Sequence, residues 1–303
     1  MRGIPGMKEA GVTLPAEKWE GRAGCEVASL TSMEAVVGEI LATVDGLRQE
    51  VPAVVPVAFW DFDGTLLEGD CVDGYRRRDG AGYAGLMERM ILAGLCPAYA
   101  GAAGVARCER EVVERKQRDG RGLAYAFQTQ IFGGVAEAEI RALARLAFER
   151  EIGDWLFAEA LAGWRRLEAA GVRCWVVSAS ADFFVKEAAG QLGVNEDRCV
   201  GMRVRRAADG RLSDTLEGPL LFGAGKAERM RELLAEMAVA EPGRVFVPVA
   251  AFGNDPESDG PMLEAVCQAV LPAGRSVGVL VNVPAPAAGR GVVHVQCRSR
   301  PVG

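Results

Sequence analysis

The stretch that most restricts this chain is Val54-Val55-Pro56-Val57-Ala58-Phe59-Trp60, an apolar run of strand length that stops abruptly at Asp61-Phe62-Asp63-Gly64-Thr65. A continuous apolar run reads as a strand buried on both faces, as in a parallel sheet covered by helices. Open α/β sheets place their ligands beyond the carboxyl ends of such strands, so two carboxylates arrive where a site is expected. In an extended segment residues two apart point the same way, which turns Asp61 and Asp63 toward one centre. Their mutual repulsion is relieved most simply by a bound cation. Gly64 permits a tight turn with close backbone approach, and Thr65 offers a hydroxyl to an anion's oxygens. An Asp-x-Asp-Gly surface turn is the plain alternative, and the rest of the chain bears on the choice.

Further along, polar groups recur at the ends of apolar segments. Arg173-Cys174-Trp175-Val176-Val177 reads as a second buried strand, ending in Ser178-Ala179-Ser180, with a helix next. Small hydroxyl residues there suit an anion, or simply cap the helix. Val200 to Thr215, with Asp209-Gly210 between its arms, predicts a β-hairpin. Gly223-Ala224-Gly225-Lys226 opens a helix whose dipole the lysine opposes, which is unfavourable unless carboxylates or phosphate lie nearby. A third strand, Arg244 to Phe252, runs into Gly253-Asn254-Asp255-Pro256-Glu257-Ser258-Asp259-Gly260. Ser276 to Val281 predicts a fourth parallel strand and Val292 to Cys297 a short terminal one.

Two segments flank this pattern differently. Before the first strand, Val36, Ile40, Val44 and Leu47 recur at helical spacing, and the first thirty residues are expected to be loose. Between the first and second strands the chain reads as mainly helical, with pieces at Leu86–Leu92, Val105–Arg118 and Glu137–Glu149 punctuated by Gly and Pro. All four tyrosines, Tyr75, Tyr83, Tyr99 and Tyr125, fall in that insertion. A helix from about Trp155 to Ala170, stopped by Gly171, returns the chain to the core. The expected division is an N-terminal, mainly helical extension over 1–50, an α/β core from 51–74 and 151–303, and a helical unit over 75–150.

A chain of 303 residues accommodates one domain with an insertion. Its net charge of −6 without a long basic run argues against nucleic-acid binding. No stretch reaches the roughly eighteen consecutive apolar residues of a membrane span, and the first residues lack a signal peptide's apolar core. The eight cysteines are scattered without a Cys-x-x-Cys pair, as in reduced core positions. A soluble, cytoplasmic protein is expected. The lone histidine, His294, makes histidine-based catalysis a poor prospect, and with lysines few, Lys226 stands out.

In chain order the polar groups are Asp-x-Asp-Gly-Thr, Ser, Lys and Gly-Asn-Asp-x-x-Ser-Asp. That order resembles the haloacid dehalogenase (HAD) superfamily of Mg-dependent phosphohydrolases from about Val54 to Val281. The resemblance implies a Rossmann-like parallel-sheet core with a helical C1 cap inserted after the first strand, as in phosphoserine and phosphorylcholine phosphatases. It implies Asp61 as the nucleophile that forms an aspartyl-phosphate and Asp63 as the acid/base, an Asp that favours phosphatases over the family's ATPases and phosphonatases. Thr65, Gly64, Ser178 and Ala179 then line the phosphate, and Lys226 holds nucleophile and phosphate together. Mg²⁺ falls between the Asp61 carboxylate, the Asp63 main-chain carbonyl and the fourth motif.

That fourth motif departs from the family pattern, which has Gly-Asp followed three or four residues later by Asp. Either Asn254 is the direct ligand, with Asp255 and Asp259 supplying charge, or Asp255 is, after a one-residue slip. Asp70 matches the acidic position that contacts the substrate amine in phosphoserine phosphatases, and insertion tyrosines offer cation–π contacts or simply pack the helices. The implied substrate is a small phosphorylated metabolite of the phosphoserine, phosphorylcholine or phosphoethanolamine type. A phosphotransferase using the same intermediate, and a non-catalytic phospho-ligand binder with Asn254 as its mark, are the competing readings.

Overall fold

The computed structural model describes residues 31–283 and 292–298. The expectation for the first thirty residues, and Cys25 with it, lies outside them. The first helix, α1 (Met33–Glu50), starts where the Ser32 hydroxyl accepts the Ala35 amide, an N-cap that satisfies one orphan donor. Its buried stripe contains Val36, Ile40, Val44 and Leu47, as the spacing predicts. Strand β1 (Val54–Trp60) follows. Next come a hairpin of β2 (Gly74–Arg76) and β3 (Gly82–Ala84), and the helices α2 (Leu86–Leu92), α3 (Gly101–Arg118), α4 (Arg121–Gln130) and α5 (Glu137–Arg150).

The hairpin departs from the helical expectation for this region. Tyr75 pairs with Tyr83 around a turn containing Asp79-Gly80, too short a run for periodicity to register but carrying a recognised hairpin dipeptide. Helix α4 follows Gly120 as a separate piece that the spacing did not single out. The chain then forms α6 (Ala158–Ala169), β4 (Arg173–Ala181) and the short helices α7 (Asp182–Val185) and α8 (Ala189–Leu192). After these come β5 (Cys199–Arg206), β6 (Leu212–Glu217), α9 (Ala224–Ala240), β7 (Val245–Gly253), α10 (Gly260–Cys267), β8 (Val277–Val281) and β9 (Val292–Val295). Strand β4 continues through Ser178-Ala179-Ser180 instead of stopping at Val177.

The seven strands of the main sheet are ordered β6-β5-β4-β1-β7-β8-β9, and every neighbouring pair is parallel except β5 with β6. From the central β1 the chain adds β4 and β5 on one side, then crosses to build β7 and β8 on the other. Such a reversal opens a crevice at the carboxyl ends of the strands. Register sets what meets there. Trp60 pairs with Val176 on one flank and Phe252 on the other, so Asp61 follows between the ends of β4 and β7. The Asp61 amide donates to the Phe252 carbonyl at 2.8 Å.

Beneath that edge Trp60 stacks on Phe252, with ring centroids 3.5 Å apart, and tilts against Trp164 of α6. All three rings are fully buried, so they clamp β1, β7 and α6 directly below the carboxylates. Trp164→Ala is expected to lower unfolding stability by about 3–5 kcal/mol in urea titrations, and a loss below about 1 kcal/mol would contradict this packing.

Candidate active site

At the carboxyl edge of the sheet a cavity of about 180 Å³ is lined by Asp61, Asp63, Gly69, Asp70, Arg121, Tyr125, Ser178, Ala179, Ser180, Lys226, Asn254, Asp255 and Ser258. Residues more than a hundred positions apart in sequence converge here, and the bland surface-turn reading of Asp61-Phe62-Asp63-Gly64 falls with them. Lys226 is buried, its Nζ donating to Asp61 Oδ1 at 2.6 Å and to Asp259 Oδ1 at 2.6 Å. Its awkward position near the start of α9 is thus offset by two carboxylates. The Gly223 amide donates to the Ser258 carbonyl at 2.9 Å, which docks the head of α9 on the loop after β7.

Asp259 is fully buried and both its oxygens are engaged. Oδ1 takes the lysine, while Oδ2 accepts the Asn254 and Asp255 amides, each at 2.9 Å. The loop folds back this tightly because residue 253 is glycine; a Cβ there would stand 2.4 Å from Asp259 Cβ. Asp259 accordingly lies behind the cavity wall rather than on it.

Gly64 has φ +75°, and a Cβ on it would meet the Asn254 amide nitrogen at 1.9 Å. Only glycine lets the 254 side chain lie against this turn. The buried Thr65 hydroxyl donates to Asp61 Oδ2 at 3.1 Å and lies 3.5 Å from Asn254 Oδ1, so these two acceptors gather around one point. Neither Gly64 nor Thr65 lines the cavity; both shape it from below. Asp255 turns the other way, into an ion pair with Arg121 Nη2 of α4, which also reaches the Tyr125 hydroxyl at 3.2 Å, while Nη1 reaches Glu257 at 3.2 Å.

Asp63 is held from two sides. Oδ1 accepts the Cys71 amide at 2.6 Å, and Oδ2 accepts the Ser180 hydroxyl at 2.6 Å, with Ser178 Oγ at 3.5 Å. Ser178 in turn accepts the Ser180 amide at 3.0 Å. Burial pushes Asp61 above the ordinary carboxylate value, with Asp259 adding to this and Lys226 opposing it. Burial also raises Asp63, against the pull of the Ser180 and Cys71 donors. Asp70 is raised well above its ordinary value by burial, then by Asp63 and Asp73, although its Oδ1 accepts the Val72 and Asp73 amides at 2.7 and 2.8 Å. Buried carboxylates with too little positive charge suit a cation.

Among the described residues no three His, Cys, Asp or Glu side chains gather as ligands. The donors on hand are the Asp61 carboxylate, the Asn254 amide oxygen and main-chain carbonyls of the 61–65 turn. Such a hard oxygen set suits Mg²⁺, which keeps part of its water shell.

A model of the haloacid dehalogenase-like hydrolases matches residues 58–264. The chain belongs to this family. The membership expected from the motifs is therefore borne out, and the sheet has the expected Rossmann-like character. No curated protein matches in sequence. Among solved structures, a Bordetella pertussis Tohama I protein of unknown function is 22% identical, with TM-score 0.61 over 80% of this chain and 98% of that one. A functionally unknown Anaerococcus prevotii protein is 13% identical, with TM-score 0.53 over 84% and 87%. Cytosolic 5′-nucleotidase IIIB bound to cytidine is 14% identical, with TM-score 0.52 over 83% and 79%. At these identities the likeness is one of fold.

Four wall residues, Gly69, Arg121, Ser180 and Ser258, escaped the sequence reading of this hydrolase. Ser180 was visible in principle, since residues two apart share a strand face with Ser178 once β4 is known to continue. Arg121 carried no signal, being one arginine among many in the insertion. Of the tyrosines only Tyr125 reaches the cavity; Tyr75, Tyr83 and Tyr99 give their hydroxyls to Glu68, the Glu68 carbonyl and Glu111. Lys226→Met leaves Asp61 and Asp259 buried without their shared cation and is expected to cost about 3–5 kcal/mol at neutral pH. Because burial already holds Asp61 above its unfolded value, the folded variant takes up protons more readily than the unfolded chain as pH falls, so the penalty shrinks. Urea unfolding in EDTA at pH 5 and 8 measures this, and an equal penalty at both values would count against it.

Proposed function

We propose that the chain is a Mg²⁺-dependent phosphomonoester hydrolase that forms an aspartyl-phosphate on Asp61 and acts on a small, amine-bearing phosphometabolite in the cytoplasm. The observation that carries this reading is the buried Lys226 ammonium, 2.6 Å from Asp61, at the floor of a cavity that Asp63 also faces. A carboxylate serves as a nucleophile toward an anionic phosphoryl group only where its charge is offset, and the lysine does that here. Bound by the Asp61 carboxylate, the Asp63 main-chain carbonyl and Asn254, Mg²⁺ supplies further charge compensation. Between the two ligand candidates, the geometry favours Asn254, which lies on the Gly64 turn, over Asp255, which is taken by Arg121. Asp259 acts one step removed, orienting Lys226 and the loop.

Asp63 gives a proton to the leaving alcohol and later takes one from the attacking water. Its raised proton affinity suits both halves of that task. Ser178 and Ala179 line the phosphate region, and the 75–150 unit acts as a cap that closes it through α4. A cavity of about 180 Å³ lies below the roughly 300–1,000 Å³ of typical drug-sized sites, which favours a small substrate. Asp70 is the group offered to an amine. Tyr125 contributes less than the tyrosine count suggested, because Lys116 already lies 5.2 Å from its ring centre.

Hydrolysis of p-nitrophenyl phosphate is expected to require Mg²⁺, to stop in EDTA, and to fall at least about a thousand-fold in Asp61→Asn. No metal-dependent turnover would leave a phospho-ligand binder, and phosphoryl transfer to added alcohols exceeding hydrolysis would indicate a phosphotransferase. Amine-bearing alkyl phosphates should exceed nucleoside monophosphates about ten-fold or more in kcat/KM, and the reverse order would refute the size argument. Asn254→Asp adds a charge to the ligand set, so half-saturation by Mg²⁺ should drop several-fold; unchanged metal dependence would remove Asn254 from that set.

A further inference from the structure

We infer that Ser180 is a positioning residue for proton transfer: its hydroxyl, with the Cys71 backbone amide, fixes the Asp63 carboxyl so that Oδ2 is the oxygen that exchanges the proton. The inference rests on the hydrolase reading above and adds a residue and an atom to it. The Cys71 amide lies 2.6 Å from Oδ1 and can only donate, so Oδ1 is a permanent acceptor. A proton on Oδ1 would face another hydrogen, which leaves Oδ2. A hydroxyl, by contrast, both donates and accepts, and Ser180 Oγ lies 2.6 Å from Oδ2. Donating to one lone pair of Oδ2, it stays bonded while the other lone pair carries or releases the proton.

The backbone of Ser180 is secured independently, its amide donating to Ser178 Oγ at 3.0 Å. The Ser180 amide is therefore held without use of its own hydroxyl. The other side-chain donors at Oδ2, Ser178 Oγ and the Cys71 thiol, stand farther off, at 3.5 and 3.6 Å. In the first step the Asp61 oxygen bonds to phosphorus, the ester P–O bond breaks, and its electron pair leaves on the alcohol oxygen. That oxygen takes the proton from Asp63 Oδ2, and the Ser180 hydroxyl donates to the carboxylate left behind. In the second step water gives a proton to Oδ2, its oxygen bonds to phosphorus, and the bond to Asp61 breaks.

The test separates substrates by their need for a proton. A p-nitrophenolate leaves unaided, whereas a primary alkoxide does not, and kcat/KM reports events through the first P–O cleavage. In Ser180→Ala, kcat/KM for the best of a panel of primary alkyl phosphates is expected to fall about ten-fold or more, with p-nitrophenyl phosphate falling several-fold less. Ser180→Thr keeps the hydroxyl and should restore most of the alkyl activity. Parallel losses on both substrates, or no loss on alkyl phosphates, would overturn the inference while leaving the hydrolase reading intact. Wild-type protein inactive on both would overturn the hydrolase reading, and this inference with it.

Discussion

One ammonium shared by two buried carboxylates organises the carboxyl edge of this sheet. Lys226 comes from α9, Asp61 from the end of β1 and Asp259 from the loop after β7, so a single set of ion pairs ties three elements together. Charges removed from water are costly unless every lone pair and proton is satisfied. Here Asp259 adds two backbone amides and Asp61 the Thr65 hydroxyl. The two neighbouring carboxylates raise the proton affinity of Lys226 despite its burial, so it stays charged. The loop from Gly253 to Asp259 is held in shape by the Asn254 and Asp255 amides on Asp259 Oδ2, while Oδ1 meets the lysine.

That constraint settles what the rest of the loop can do. With Asp259 turned inward, Asn254 and Asp255 project to opposite sides, one onto the Gly64 turn and the other toward Arg121. Arg121 also reaches Glu257, so helix α4 of the insertion grips this loop through two acidic side chains. A negative charge that a simple motif reading would hand to the cation is used to join the insertion to the sheet. The neutral amide facing Asp61 is thus part of an arrangement, with its charge displaced a short way to Asp255.

Much of this was legible in the chain because the signals were long or chemically specific. The run ending at Trp60 announced a central strand, and Asp61-Phe62-Asp63-Gly64-Thr65 announced the family. Lys226 stood out because it opposed a helix dipole. What escaped was short or depended on side-chain direction. The Tyr75–Tyr83 hairpin is three residues a side, too brief for alternation to show. Strand β4 looked finished at Val177 because serine and alanine end its apolar run, yet its hydrogen bonding continues to Ala181. The choice between Asn254 and Asp255 depended on Arg121, which nothing in the spacing brings near.

The two aspartates of the first motif, two residues apart in sequence, are supported by different parts of the molecule. Asp61 is set by α9, the β7 loop and Thr65, whereas Asp63 is set by β4 and the turn at Cys71. Their environments differ accordingly. One carboxylate faces a permanent cation, and the other faces neutral donors. A charge-compensated group is suited to bonding with an anion, and a group held by neutral donors is suited to gaining and losing a proton. The proposed division of labour between nucleophile and acid/base thus follows from which strand supplies the partners, with β1 delivering both carboxylates to a line between two unlike neighbours.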